Sequence, residues 1–176
     1  MTANRDEMID MLVAEREIRK IANNCAHYVD RGNMEGLRSL FHPDAIAEYG
    51  FNPSKTVDEF IKHFTVQRPS LSDVQHHITT SRIMVQGDYA EAENYAIAHC
   101  LVEEEDGTKA FVIGGRYLDK YERRNGDWKI SHRLGLEDWS VKVAAPPKRS
   151  SELVGDIPRG AIGEADPAHA FFTLIK

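Results

Sequence analysis

Three histidines, set among carboxylates and phenols, are the side chains of this sequence best suited to chemistry. His76 and His77 are adjacent, in His76-His77-Ile78-Thr79-Thr80, and His99 follows in the next extended segment. A neutral imidazole titrates near neutrality and can take a proton at pH 7. A carboxylate accepting its Nδ1–H fixes the tautomer, leaves Nε2 free and stabilises the imidazolium that forms. Such a pair suits proton abstraction followed by loss of water or halide, or by isomerisation, with no metal. The histidine spacing does not match a zinc pattern such as His-Glu-x-x-His. Two cysteines, Cys25 and Cys100, are too few for a disulfide framework or a zinc ligand set.

The elements that must position these groups are legible. From Asp6 to Arg31 the residues Met11, Ala14, Ile18, Ile21, Ala22, Cys25 and Val29 fall three or four apart, which is helical spacing, and Gly32 is a suitable stop. A second helix fits Asn33 to Phe41, ended by His42-Pro43, and Ala45 to Gly50 reads as a short strand. Thr56-Val57-Asp58-Glu59 is a capping box that opens a third helix carrying Val57, Phe60, Ile61 and Phe64. Four long extended segments follow, near Val74–Val85, Tyr89–Glu104, Lys109–Arg124 and Trp128–Ser140. Gln86-Gly87-Asp88, Asp106-Gly107 and Asn125-Gly126 break them at hairpin turns. Strands this long must curl, and Gly114-Gly115 is a natural bend or bulge.

Strict alternation assigns faces. It puts His77, Thr79, Ser81 and Ile83 together, with His76, Ile78, Thr80 and Arg82 opposite. By the same rule His99 lies with Tyr95 and Ile97, Ile113 with Tyr117, and Arg133 with Lys129 and Ser131. Asp30 closes the first helix in Tyr28-Val29-Asp30-Arg31-Gly32, where the plain alternative is a solvated carboxylate paired with Arg31. For Arg133 the plain alternative is a surface salt bridge to Glu137 or Asp138, and for Tyr49, Ile113 and Tyr117 it is simple core.

Three helices and a curled meander of four long strands plus a short one make an α+β cone with an apolar interior, a shape that suits a small molecule. Residues 1–140 form this domain, and residues 141–176 an extended tail rich in proline. The tail ends in Phe171, Phe172, Leu174 and Ile175 and is expected to dock on the domain or a neighbouring subunit. At 176 residues, with 41% hydrophobic and 28% charged, the chain suits one soluble domain. A net charge of −6 without a basic stripe argues against a nucleic-acid partner. No stretch is apolar enough for a membrane span, and the start lacks an export signal, so a cytoplasmic protein with reduced thiols is expected.

The segments EIRKIANNCAHYVDRGNMEGLRSLFHPDA, QHHITTSRIMV and FVIGGRYLDKYERRNGDWKISHRLG make the chain resemble the SnoaL-like branch of the nuclear-transport-factor-2-like, or cystatin-like cone, superfamily. Within that branch it looks most like the hexachlorocyclohexane dehydrochlorinases, with scytalone dehydratase more distant. The resemblance implies a cofactor-independent lyase or isomerase acting on a small, apolar, cyclic substrate, with no metal. It implies that Asp30 orients a catalytic histidine matched to His77, with His76 the competing assignment. Arg133 would assist a leaving anion, and Tyr28, Tyr49, Tyr95, His99, Ile113 and Tyr117 would line the substrate site. Relatives of this layout also imply a homo-oligomer, with a trimer favoured. The alternatives are a binding module without catalysis and a structural subunit like a dioxygenase β-subunit. Departures from the relatives at Cys25, Val29 and Ala47 fall where the substrate is specified, so the substrate is not named by the resemblance.

Overall fold

In the computed structural model, residues 4–50, 55–67, 71–105, 107–144, 158 and 160–173 are described. Helix α1 (Arg5–Arg31) begins in a reciprocal cap: the Asn4 side chain accepts from the amides of Asp6 and Glu7, and Glu7 accepts from the Asn4 amide at 3.0 Å. It ends where Gly32 turns left-handed at φ 69°, a conformation open to a residue without a Cβ. Its buried stripe runs Ala14, Ile18, Ile21, Ala22, Cys25, Val29 and Asp30, so the last position of an apolar face is a carboxylate.

Helix α2 (Met34–Ser39), capped by Asn33, leads into β1 (Phe41–Glu48). This strand starts earlier than the sequence suggests. As an edge strand it accommodates Pro43, whose missing N–H costs no ladder bond on the open side. Helix α3 (Val57–Gln67) opens at Thr56, whose hydroxyl accepts from the Glu59 amide at 3.3 Å. The long strands are β2 (Leu71–Gln86), β3 (Tyr89–Glu104), β4 (Gly107–Arg124) and β5 (Asp127–Ala144). At the last tight turn Asn125 and Gly126 both carry positive φ, 56° and 90°, as a type I′ hairpin requires.

The five strands form one curled, unclosed sheet in the order β1-β5-β4-β3-β2, the long strands antiparallel and β1 added in parallel at the β5 edge. Interruptions of the ladders bend it. The β2–β3 register shifts between Ile78 and Ser81, and the β4–β5 register shifts between Gly114 and Gly115 and between Lys120 and Tyr121. Each inserts one extra residue, which sharpens the twist and moves every later side chain of that strand by one in parity.

The helices close the concave side. Ile18, Ile21, Cys25 and Val29 of α1 pack with Leu37, Phe41, Phe60, Ala90, Ala92, Tyr121 and Ile130 in a single core cluster. Beyond β5, a turn at Gly163–Ala165 and the short helix α4 (Pro167–Phe171) are tied to the end of α1. Arg31 donates to the Ala161 carbonyl at 3.5 Å and approaches Asp166 at 3.8 Å. Phe171 and Phe172 are exposed, while Leu174 and Ile175 lie outside the described residues. Among the described residues no helix is long and apolar enough to cross a membrane.

Candidate active site

The partner that Asp30 finds is His76. Its Oδ1 lies 2.6 Å from His76 Nδ1, and its Oδ2 accepts the His76 backbone N–H at 2.9 Å. One carboxylate thus holds the residue at both ring and main chain. An ionised carboxylate can only accept, so Nδ1 carries the hydrogen and Nε2 is the basic nitrogen. Both side chains are largely buried, with 14% and 11% of their surface accessible for His76 and Asp30.

His77, the match inferred from sequence, lies on the other face. It pairs with Ile97 on the exposed side of the sheet and is itself exposed. The bulge explains the reversal. Thr79 and Thr80 together oppose Tyr95, so Ile83 and Ser81 share the inner face with Ile78 and His76 rather than with Thr79 and His77. Arg31, the alternative partner of Asp30, turns instead towards Ala161 and Asp166.

Arg133 also lies inside, 3% exposed, but neither Glu137 nor Asp138 meets it. Its Nε and Nη2 donate to the two oxygens of Asp119 at 2.6 and 2.8 Å. Ser131 is the extra residue of the bulge near Tyr121, so Arg133 shares its face with buried Ile130 and not with Lys129 and Ser131. Asp138 pairs with Arg116 instead, at 2.6 Å. Asp119 accepts further bonds from Asn94 Nδ2 and the Tyr121 hydroxyl, each at 2.9 Å. Burial opposes the Arg133 charge, but Asp119 outweighs it and holds the guanidinium firmly protonated. Burial raises the Cys25 thiol, which lies within hydrogen-bond reach of Arg133, and keeps it protonated despite that neighbour.

Of the expected lining residues, Tyr28, Tyr49, Ile113 and Tyr117 lie on the enclosed side. Tyr49 stacks on Phe60, with ring centres 4.5 Å apart, and stands 6.4 Å from Tyr117. It occupies the space that a side chain at Gly135 would fill, since a Cβ there would come within 2.6 Å of its ring. Tyr28 packs against the core cluster from α1. Ile113 and Tyr117 pair across β3 with Ala98 and Asn94, on the inner parity. Tyr95 and His99 do not belong with them. Ala90, Ala92, Asn94 and Ala96 set the buried parity of β3, so Tyr95, Ile97 and His99 point outwards, and Arg116 covers the Tyr95 ring.

Sequence reasoning missed Asp119 and Asn94. The signal was present: in Ile113, Gly115, Tyr117, Asp119 and Tyr121, every second residue of β4, an acid interrupts an inward apolar row. An acid there needs a buried cation. Among the described residues no three His, Cys, Asp or Glu side chains gather into a set that could hold a metal ion.

A curled, helix-capped α+β sheet carries a histidine–carboxylate pair and a buried arginine–aspartate pair on its inner face. The model of the SnoaL-like domain matches residues 10–134, and the chain belongs to that family. Among solved structures it is similar to a hexachlorocyclohexane dehydrochlorinase (LinA) of type 2, at TM-score 0.69 and 21% identity over 80% of this chain and 99% of that one. A scytalone dehydratase-like protein from Novosphingobium aromaticivorans gives TM-score 0.65 and 21% identity, over 79% and 96% of the two chains. A protein of unknown function with a cystatin-like fold from Nostoc punctiforme gives 0.58 and 17%, over 70% and 90%. At these identities the likeness establishes the fold. No curated protein matches the sequence.

Proposed function

We propose that this SnoaL-like protein is a cofactor-independent lyase that eliminates water or halide from a small cyclic molecule, or isomerises one, with His76 as base. The observation that carries the reading is the double hold of Asp30 on His76, at Nδ1 and at the backbone N–H. That arrangement fixes the tautomer before substrate arrives, so Nε2 is ready to accept. In the step itself His76 Nε2 takes a proton from carbon, the C–H electron pair becomes the new π bond, and the leaving group departs with its bonding pair. The imidazolium, stabilised by Asp30, then returns its proton to the departing hydroxide or to solvent. In an isomerisation it returns the proton to another carbon.

The dehydrochlorinase and dehydratase names among the fold neighbours favour eliminations over other chemistry. Arg133 has two of its three nitrogens committed to Asp119 and lies within hydrogen-bond reach of Cys25, which leaves little of it for a leaving anion.

The test is turnover of a panel of β-hydroxy and β-chloro cyclic compounds by the wild type and two alanine variants. His76→Ala is expected to lose about 10²–10⁴-fold in kcat, the range for a removed general base. His77→Ala is expected to stay within about threefold of wild type. Equal losses in both variants, or none in His76→Ala, would remove His76 from the mechanism.

A further inference from the structure

We propose that Tyr117 is the hydrogen-bond donor this site offers to an oxygen of its ligand, so that its ligands are oxygenated rings rather than bare or halogenated hydrocarbon. The proposal deepens the elimination reading by naming the substrate class, and rests on that reading for the reaction but not for its test.

The ring is held from several sides. Tyr117 sits opposite Asn94 on β3 and Gly135 on β5, with Tyr49 filling the gap over Gly135. The guanidinium carbon of Arg133 lies 4.7 Å from the Tyr117 ring centre, and Asp119 locks that guanidinium from its other edge. Rotation of the phenol is therefore restricted by a clamped cation on its face.

Its hydroxyl, by contrast, is uncommitted. Tyr121, four residues along the same face, spends its O–H on Asp119 at 2.9 Å. The Tyr117 O–H has no hydrogen-bond partner among the described residues, although the residue lies deep in the protein and within the electrostatic field of Asp30. The residue is only partly buried and keeps some accessible surface. A donor buried without a partner is costly, whereas one facing a ligand cavity is a recognition element.

The chemistry asks for such a group. Removal of a proton from carbon is easier when a placed hydrogen-bond donor receives the charge that develops. Burial keeps the phenol protonated, and a cation over the ring face draws density from it, which strengthens O–H donation. The acceptor is either a carbonyl oxygen that becomes an enolate or the oxygen of a departing hydroxyl.

Calorimetric binding of cyclohexenone, cyclohexanol and chlorocyclohexane, three rings of similar size, to the whole chain and to Tyr117→Phe separates these cases. The variant removes one oxygen and keeps the ring on Arg133. Cyclohexenone is expected to bind the variant about tenfold more weakly, with chlorocyclohexane unchanged. The carbonyl stretch of bound cyclohexenone is expected at lower frequency in the wild type than in Tyr117→Phe. A loss confined to cyclohexanol keeps the donor and assigns the acceptor as the leaving hydroxyl. Equal losses for all three probes, no loss for any, or a wild type that prefers chlorocyclohexane overturns the proposal. Because binding is the readout, failure of His76→Ala to impair turnover would strike the elimination reading alone.

Discussion

Asp30 does two jobs with one carboxylate, and substitution by asparagine separates them. The substituted amide could still accept the His76 main-chain N–H, which Asp30 Oδ2 now takes at 2.9 Å, so the strand would stay in place. Towards the ring, however, its nitrogen would donate to Nδ1. That would force the hydrogen onto Nε2 and remove the basic nitrogen from the substrate side. Asp30→Asn is therefore expected to lose roughly 10²–10⁴-fold in kcat with little change in KM or folding. Paired steady-state kinetics and thermal unfolding read the two effects. A fall in stability that accounts for the lost activity would make Asp30 a structural residue of the α1–β2 contact.

At the scale of elements, the bulges decide where side chains go. Gly114 and Gly115 flank one of them, and they are not equivalent. A Cβ on Gly115 would sit 2.1 Å from the Leu136 carbonyl oxygen, a backbone atom held in the ladder. A Cβ on Gly114 would meet the Trp139 ring at 2.1 Å, and that ring is 49% exposed and can swing away. Gly115→Ala is expected to cost about 2–4 kcal/mol and Gly114→Ala about 1, compared by urea denaturation. The reverse order would show that the sheet yields there more easily than the indole. The same bulges explain what could be read from sequence. Helix α1, its Gly32 stop, the capping at Thr56 and the hairpin turns follow from local chemistry, and Gly114-Gly115 marked its own bulge. Nothing local marks the extra residue at Thr79-Thr80, because two threonines suit regular strand equally well. Counting through it by twos assigns the base to His77, while Asp30, fixed by helical period rather than strand parity, needed no such count. The outward placement of Tyr95 and His99 depends on which parity of β3 meets the helices, a tertiary fact that its row of alternate alanines only hints at.

The molecule as a whole is tied together where its charge is buried. Arg133 of β5 and Asp119 of β4, 3% and 2% exposed, bond to Asn94 of β3 and Tyr121 of β4 and lie against Phe41 of β1, Tyr117 of β4 and Cys25 of α1. Four strands and the main helix therefore meet at one ion pair beneath the site. Its supply of partners is not complete: Asn94 Oδ1 is buried with none among the described residues, a cost that follows from turning its amide nitrogen to Asp119. Burying two charges is itself expensive, and their mutual attraction does little more than offset it. Removing one partner is a different matter, because the other stays behind without compensation. Asp119→Ala is expected to destabilise the fold by about 3–5 kcal/mol, whereas Asp119→Leu with Arg133→Met should recover most of that loss by replacing the pair with apolar contact. Urea unfolding of the single and double variants gives the coupling directly. If the double variant regains stability yet binds oxygenated rings poorly, the pair serves to hold a cation under Tyr117. If stability and binding return together, it serves only to hold the cone.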